Sequence, residues 1–289
     1  MKISPISNLL LDGREFLIKR DDLFDPYLAG NKYRKLHSLL FSPKEKYTKI
    51  ISYGGTQSNA MLAIAALCKK KGWVFEYYTK TLSQTQKNTQ LGNYFDALSL
   101  GMQHKEIEHS LYRDFIAGLR LGLSDDIVLI DQGGADKMAL EGLEVLAQEI
   151  QDADLEFDAI ATPSGTGTTA LFLAQAMPNR KVYTIACIGD ANYLREQMQA
   201  IGEIPPNLII LEPTRKYHFA KPYGEFYEIY QKLLLQGVEF DLLYAPSMWI
   251  ALQEQTKEKI LYIHSGGVSG NASMHLRYKA KGFTLSLEK

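Results

Sequence analysis

Short apolar runs alternate with amphipathic segments through most of the chain. Residues 49–53, 74–78, 127–130, 159–161, 182–188 and 208–211 are rich in β-branched or aromatic side chains and are bounded by turn formers. That pattern predicts strands. Between them the period changes. Residues 58–71 place Met61, Ile64, Ala65 and Cys68 on one helical face, and residues 139–150 do the same with Leu140, Leu143, Leu146 and Ile150. Such alternation predicts an α/β fold of βαβ units, with mostly parallel open sheets and helices on both faces. No repeat, low-complexity stretch or Pro/Ser linker divides the chain. The acidic run Gln151-Asp152-Ala153-Asp154 is the expected crossing point between two lobes.

Composition narrows the class. A chain of 289 residues can bury one large or two modest cores. Its 46% apolar and 22% charged content argues against disorder. A net charge of −1 without a basic run gives no surface for nucleic acid or an anionic membrane. The longest apolar stretches, residues 60–68 and 170–177, are too short to span a bilayer. Met1-Lys2-Ile3-Ser4-Pro5 lacks the apolar core and cleavage site of a signal peptide. Cys68 and Cys187 form no C-x-x-C pair and read as buried reduced thiols, so a cytoplasmic enzyme is expected.

Four segments rich in Gly, Ser, Thr and Asn stand at the ends of predicted strands or open helices, where α/β folds collect ligands. Lys19-Arg20-Asp21-Asp22-Leu23 is followed by Gly30-Asn31-Lys32-Tyr33-Arg34-Lys35-Leu36. A lysine near a helix N-terminus has its ammonium form disfavoured, which suits a nucleophilic amine. By composition alone, however, Lys32, Arg34 and Lys35 read as a solvated basic face. In Ser52-Tyr53-Gly54-Gly55-Thr56-Gln57-Ser58-Asn59-Ala60, Ser58 or Asn59 is either a plain helix cap or part of a carboxylate cradle. Thr162-Pro163-Ser164-Gly165-Thr166-Gly167-Thr168-Thr169-Ala170 offers the amides, hydroxyls and helix start that a phosphate needs. It is neither a Walker loop nor a dinucleotide fingerprint. The fourth segment, Tyr262-Ile263-His264-Ser265-Gly266-Gly267-Val268-Ser269-Gly270, is by itself only a strand and a tight turn.

Taken together, in this order and spacing, the four segments resemble the tryptophan-synthase-like (fold type II) pyridoxal-phosphate enzymes over nearly the whole chain. The branch they resemble is that of 1-aminocyclopropane-1-carboxylate deaminase and D-cysteine desulfhydrase. Gln132-Gly133-Gly134-Ala135 leading to Gly142, and Tyr217-His218-Phe219-Ala220-Lys221-Pro222-Tyr223-Gly224, match as well. The resemblance implies a fold in which a small lobe, 40–148, clamps pyridoxal 5'-phosphate against a large lobe, 1–39 with 149–289. It implies that Lys32 carries the cofactor as a Schiff base and moves the α-proton. Asn59 would bond the ring hydroxyl oxygen, and Ser58 would sit by the substrate carboxylate. Gly165, Thr166, Gly167, Thr168 and Thr169 would hold the phosphate. Ser265 would face the pyridine nitrogen, and a neutral hydroxyl there leaves the ring mostly unprotonated, which suits β-elimination. Tyr223 matches an active-site tyrosine. A homodimer acting on a small amino acid is the family's habit.

One stretch departs from the branch. Where its members carry a segment resembling Asp-Pro-Val-Tyr-[Thr/Glu]-Gly-Lys, residues 244–250 read Tyr-Ala-Pro-Ser-Met-Trp-Ile. This alignment sets Ser247 in place of a second tyrosine and Met248 in place of the carboxylate used in opening the cyclopropane ring, with Tyr244 or Trp249 as partial substitutes. The function implied is deaminating β-elimination from D-cysteine or a relative, giving pyruvate, ammonia and sulfide. The rivals are a true cyclopropane-carboxylate deaminase and a binder of pyridoxal phosphate without turnover. The six histidines show no metal-ligand spacing and read as surface or loop residues, with His264, beside the fourth segment, expected to pack at a strand end. At least half of the aromatic cluster Tyr217, Phe219, Tyr223, Phe226, Tyr227 and Tyr230 is expected to be packing.

Overall fold

The computed structural model describes residues 2–88 and 90–283. In chain order its strands are β1 (Ile6–Leu11), β2 (Arg14–Lys19), β3 (Lys49–Tyr53), β4 (Val74–Lys80), β5 (Gln103–Ile107), β6 (Ile127–Ile130), β7 (Ala159–Ala161), β8 (Lys181–Ile185), β9 (Leu208–Leu211) and β10 (Ile260–Ile263). They form two sheets, one of order β1-β2-β10-β7-β8-β9 and one of order β5-β4-β3-β6. Every pairing is parallel except the β1–β2 hairpin, which turns at Asp12-Gly13 with both residues at positive φ. This is the α/β architecture with helix crossovers that the alternating pattern predicts. β8 ends three residues before the predicted strand does; beyond it Ala186 keeps only an isolated parallel bridge to Ser164, and residues 186–188 line cavities.

Both faces of the larger sheet are covered, and alternation along β10 shows how. Ile260 and Tyr262 face a core with Phe16, Ile18, Trp249 and Leu252, while Leu261 and Ile263 face another with Leu143, Leu146, Leu171 and Leu173. Each such fully buried side chain contributes about 1.5–3 kcal/mol. In the smaller sheet, helix Asn59–Lys71 is not one-faced as its pattern predicts. Ala60 to Ala65, Leu67 and Cys68 are all buried, because the sheet covers one side and other helices cover the rest. Ser58 caps its start by accepting from the Met61 N–H, and Gly72 ends it in a left-handed conformation. In helix Ala139–Asp152 the predicted face is shifted slightly. Leu143, Leu146 and Ile150 are buried, but Leu140 is 36% exposed and Ala147 takes its place.

That helix carries the chain from β6 of the smaller sheet to β7 of the larger one, ending in the acidic run. It lies directly on helix Gly30–Lys35. A Cβ at Gly142 would stand 1.9 Å from the Arg34 carbonyl oxygen, so only glycine permits this contact. Two histidines are buried, His264 at its strand end as expected and His37 against the surface reading. His264 stacks on Phe240 with ring centroids 4.3 Å apart, and His37 is buried against Phe41. No helix among the described residues is long and apolar enough to cross a membrane.

Candidate active site

The ends of β3, β6, β7 and β10 open onto one cavity of about 250 Å3. Its wall is therefore built from the carboxyl ends of parallel strands of both sheets, the usual place for a ligand in such folds. Lys32 lies in this wall, on helix Gly30–Lys35. The helix is placed against the end of β10 by Gly30, where a Cβ would come within 2.0 Å of the Ser265 carbonyl oxygen. The Asn31 N–H also donates to that oxygen at 3.2 Å. Lys32 Nζ donates to Asn31 Oδ1 at 2.9 Å. Loss of hydration pushes its amine down to about 8, against the opposing pull of Asp241. Burial is the largest cause.

Lys32 is not part of a solvated face, and neither are its basic neighbours. Arg34 is completely buried and forks onto two carboxylates, Asp21 at 2.8–2.9 Å and Glu149 at 2.7 Å. Lys19 Nζ reaches the same Glu149 at 2.8 Å, and Ser4 donates to Asp21. These four charged groups tie β2, helix Gly30–Lys35 and helix Ala139–Asp152 into one block. Lys35 lines the cavity, donates to the Gly133 carbonyl, and has its amine lowered by burial and then by Lys32.

Ser58, Asn59, Gly165, Thr166, Gly167, Thr168, Thr169 and Ser265 all line the same cavity. The structure therefore gathers residues from three distant segments around Lys32. Asn59 Oδ1 accepts from Asn93 Nδ2 at 2.7 Å, and a Cβ at Gly267 would come within 2.6 Å of Asn59 Nδ2. The loop after β7 turns through Gly167 at φ 77° into helix Thr168–Ala176. There Thr166 Oγ1 and Thr168 Oγ1 are 3.0 Å apart, while the buried Thr169 Oγ1 has no hydrogen-bond partner.

Tyr223 stands apart from this group. Its hydroxyl accepts from the His218 N–H at 2.9 Å, and its ring packs with Tyr217 and Phe226, immediately before helix Gly224–Leu235 begins. It does not line the cavity. Ser247 and Met248 do not line it either. Met248 is core, and Ser247 bonds the Tyr244 carbonyl and faces Cys187. Trp249 is stacked on Tyr262 in the core. The residue that does face the cavity is Tyr244, close against Gly165. Burial, then Asp241, raises its hydroxyl so that it stays protonated. Asp241 itself, fully enclosed, is pushed up to about 6 by burial, although it accepts N–H bonds from Leu243 and Tyr244.

No family model matches the chain. It is 26% identical to the D-cysteine desulfhydrase of Serratia proteamaculans over 95% of this chain and 92% of that one. It is 25% identical to the bifunctional, mitochondrial D-cysteine desulfhydrase/1-aminocyclopropane-1-carboxylate deaminase of Arabidopsis thaliana, over 90% and 74%. This chain is a relative of both. Among solved structures, an ACC deaminase homologue superposes with a TM-score of 0.72 at 24% identity, covering 97% of this chain and 93% of that one. A pyridoxal 5'-phosphate-dependent aspartate racemase follows at 0.63 and 15%, over 91% and 90%. The fold is thus that of the fold type II pyridoxal-phosphate enzymes.

Asp241-Leu242-Leu243-Tyr244-Ala245 also carries the Asp-x-x-Tyr spacing of Asp-Pro-Val-Tyr-[Thr/Glu], three residues before the register that sets Ser247 and Met248 at those places. Tyr244 lines the cavity, and Ser247 and Met248 do not.

Proposed function

We propose that this chain is a pyridoxal-phosphate-dependent lyase that deaminates a small amino acid by β-elimination, with D-cysteine as substrate and pyruvate, ammonia and sulfide as products. The observation that carries the reading is a lysine amine lowered to about 8 in the same cavity as a glycine–threonine loop holding an unpartnered buried hydroxyl, Thr169 Oγ1. A phosphate suits that loop, since its hydroxyls and the amides of Gly165 to Thr169 are donors at a helix start. Asn59 supplies an amide for the ring oxygen, Ser265 a neutral hydroxyl for the ring nitrogen, and Lys32 the point of attachment. Bound there, the cofactor supplies the sink for the electrons left at the substrate α-carbon.

The chain's own residues supply the rest. Lys32 Nζ, free base at mildly alkaline pH, takes the α-proton. Ser58 and the start of helix Asn59–Lys71 orient the substrate carboxylate. Tyr244, held protonated, is the acid available to a departing sulfur. No aspartate or glutamate lines the cavity among the described residues, and the position after Tyr244 is Ala245. This disfavours opening of a cyclopropane ring.

The test is an absorbance spectrum of the protein with pyridoxal phosphate, before and after D-cysteine, with Lys32→Ala as control. A visible band absent from the variant, shifting with sulfide release, is expected. A band indifferent to every amino acid would leave a carrier or sensor, and no band at all would overturn the cofactor.

A further inference from the structure

A second cavity of about 240 Å3 adjoins the first and is as large, yet elimination from cysteine has no use for it. The two share Phe219, Ala220 and Leu243, so one layer of residues divides them. That layer is a single turn, tied by the Lys221 N–H to the His218 carbonyl and by Arg277 Nη1 to the Ala220 carbonyl at 2.9 Å. Ala220 has φ 58°, a conformation uncommon for a residue with a Cβ, in a stretch without regular secondary structure. Phe219 is 42% exposed and touches only the edge of the site, its ring 5.2 Å from that of Tyr244.

The floor of the second cavity is apolar, formed by Ile185, Leu211, Phe226 and Leu242. Its polar groups are uncharged: the Cys187 thiol, which burial keeps protonated, lies 3.4 Å from the Ser247 hydroxyl. The charges of Asp190, Glu212, Arg215, Lys216 and Lys221 are confined to an exposed rim. A cavity of this kind takes an apolar group through burial of its surface, with little to orient an ion at its base.

We propose that it receives the sulfur substituent of an S-substituted cysteine, an apolar alkyl or arylmethyl thioether whose amino-acid part occupies the first cavity beside Lys32. This rests on the elimination reading of that first cavity. The substituent passes the Phe219–Ala220 partition, and the chain is then a carbon–sulfur lyase for thioether amino acids as well as for cysteine. The reaction balances without a further reactant. The Cβ–S bond breaks, the sulfur leaves with the electron pair and gains a proton, and water completes the conversion of the remainder. One thioether and one water give one thiol, one pyruvate and one ammonium.

The experiment uses both enantiomers of S-(4-fluorobenzyl)cysteine with the cofactor-loaded protein and two variants, Ala191→Phe and Leu211→Trp. Both residues line the second cavity and not the first. Wild type should shift and broaden the fluorine resonance. Each variant should cut kcat/KM for the fluorobenzyl compound by about tenfold or more while changing that for cysteine by less than about twofold. The proposal is overturned if the fluorobenzyl compound neither binds nor reacts while cysteine does, or if the variants treat both substrates alike. If neither compound is turned over but the fluorine response is present and is lost in Ala191→Phe, the cavity assignment stands and the elimination reading falls.

Discussion

Burial lowers the Lys32 amine from 10.5 to about 8 even though Asp241 pulls the other way. Each pH unit is a factor of ten in the free-base fraction, so about one chain in ten carries a reactive amine at pH 7, where an ordinary lysine gives about one in 3,000. Any step that needs the free amine is therefore about 300-fold faster at neutral pH than burial-free chemistry allows. The perturbation that tests the balance is Asp241→Asn. Asparagine keeps an oxygen to accept from the Leu243 and Tyr244 N–H groups but removes the charge. The Asp241 carboxyl is pushed up to about 6, so above neutrality it is mostly ionised and holds Lys32 up. Its loss must move the amine lower. The assay is the rate at which apoprotein incorporates pyridoxal phosphate, followed by the visible band across the neutral and alkaline range. The wild-type rate should climb tenfold per pH unit and bend near 8. The variant should bend at lower pH and be faster at pH 7. A wild-type bend near 10.5, or an upward move in Asp241→Asn, would refute the reasoning. Stability carries the same signature. Between about 8 and 10.5 the unfolded chain holds the proton that the folded chain has lost, so apoprotein stability rises with pH across that window. Lys32 contributes about 3 kcal/mol to that rise, which should be smaller by this amount in Lys32→Met, where Lys35 alone remains lowered.

Arg34→Met leaves the buried Asp21 without its cation and Glu149 with Lys19 alone, and urea unfolding should show a loss of about 3–5 kcal/mol. Tyr244→Phe should lower kcat by about tenfold or more, while Tyr223→Phe, outside the cavity, should leave kcat within about twofold of wild type. Gly30→Ala drives a methyl into the Ser265 carbonyl, so it should cost at least about 2 kcal/mol of stability and weaken cofactor retention during dialysis.

Strands buried on both faces were the legible part of the fold, because an unbroken apolar run leaves little choice of boundary. β3, β6, β7 and β9 lie where their runs predict. Two kinds of strand escaped. β5, Gln-His-Lys-Glu-Ile, is a mostly solvated edge with no apolar run to find. The β1–β2 hairpin alternates Leu9, Leu11, Phe16 and Ile18 inward around Asp12-Gly13, a signal that was present and went unused. At the site, Lys32 and the glycine-rich turns were readable as local patterns. The burial of Arg34 was not, because its partner Glu149 lies 115 residues away and charge in sequence looks the same whether paired or solvated. Tyr244 was named only as a partial substitute, yet it lines the cavity, whereas Tyr223 does not, because a motif match cannot say which way a ring turns.

β10 is the last strand made among the described residues and sits between β2 and β7, joined in parallel to both. Until residue 263 has left the ribosome, the larger sheet exists as two fragments, each with an open edge exactly where the other must attach. Lys32 is then translated some 230 residues before the Ser265 backbone that fixes its helix. The cavity around Lys32 is thus completed only after residue 265 has been made, and any stall or nick shortly before β10 leaves a chain with two sticky edges and an unfinished cavity.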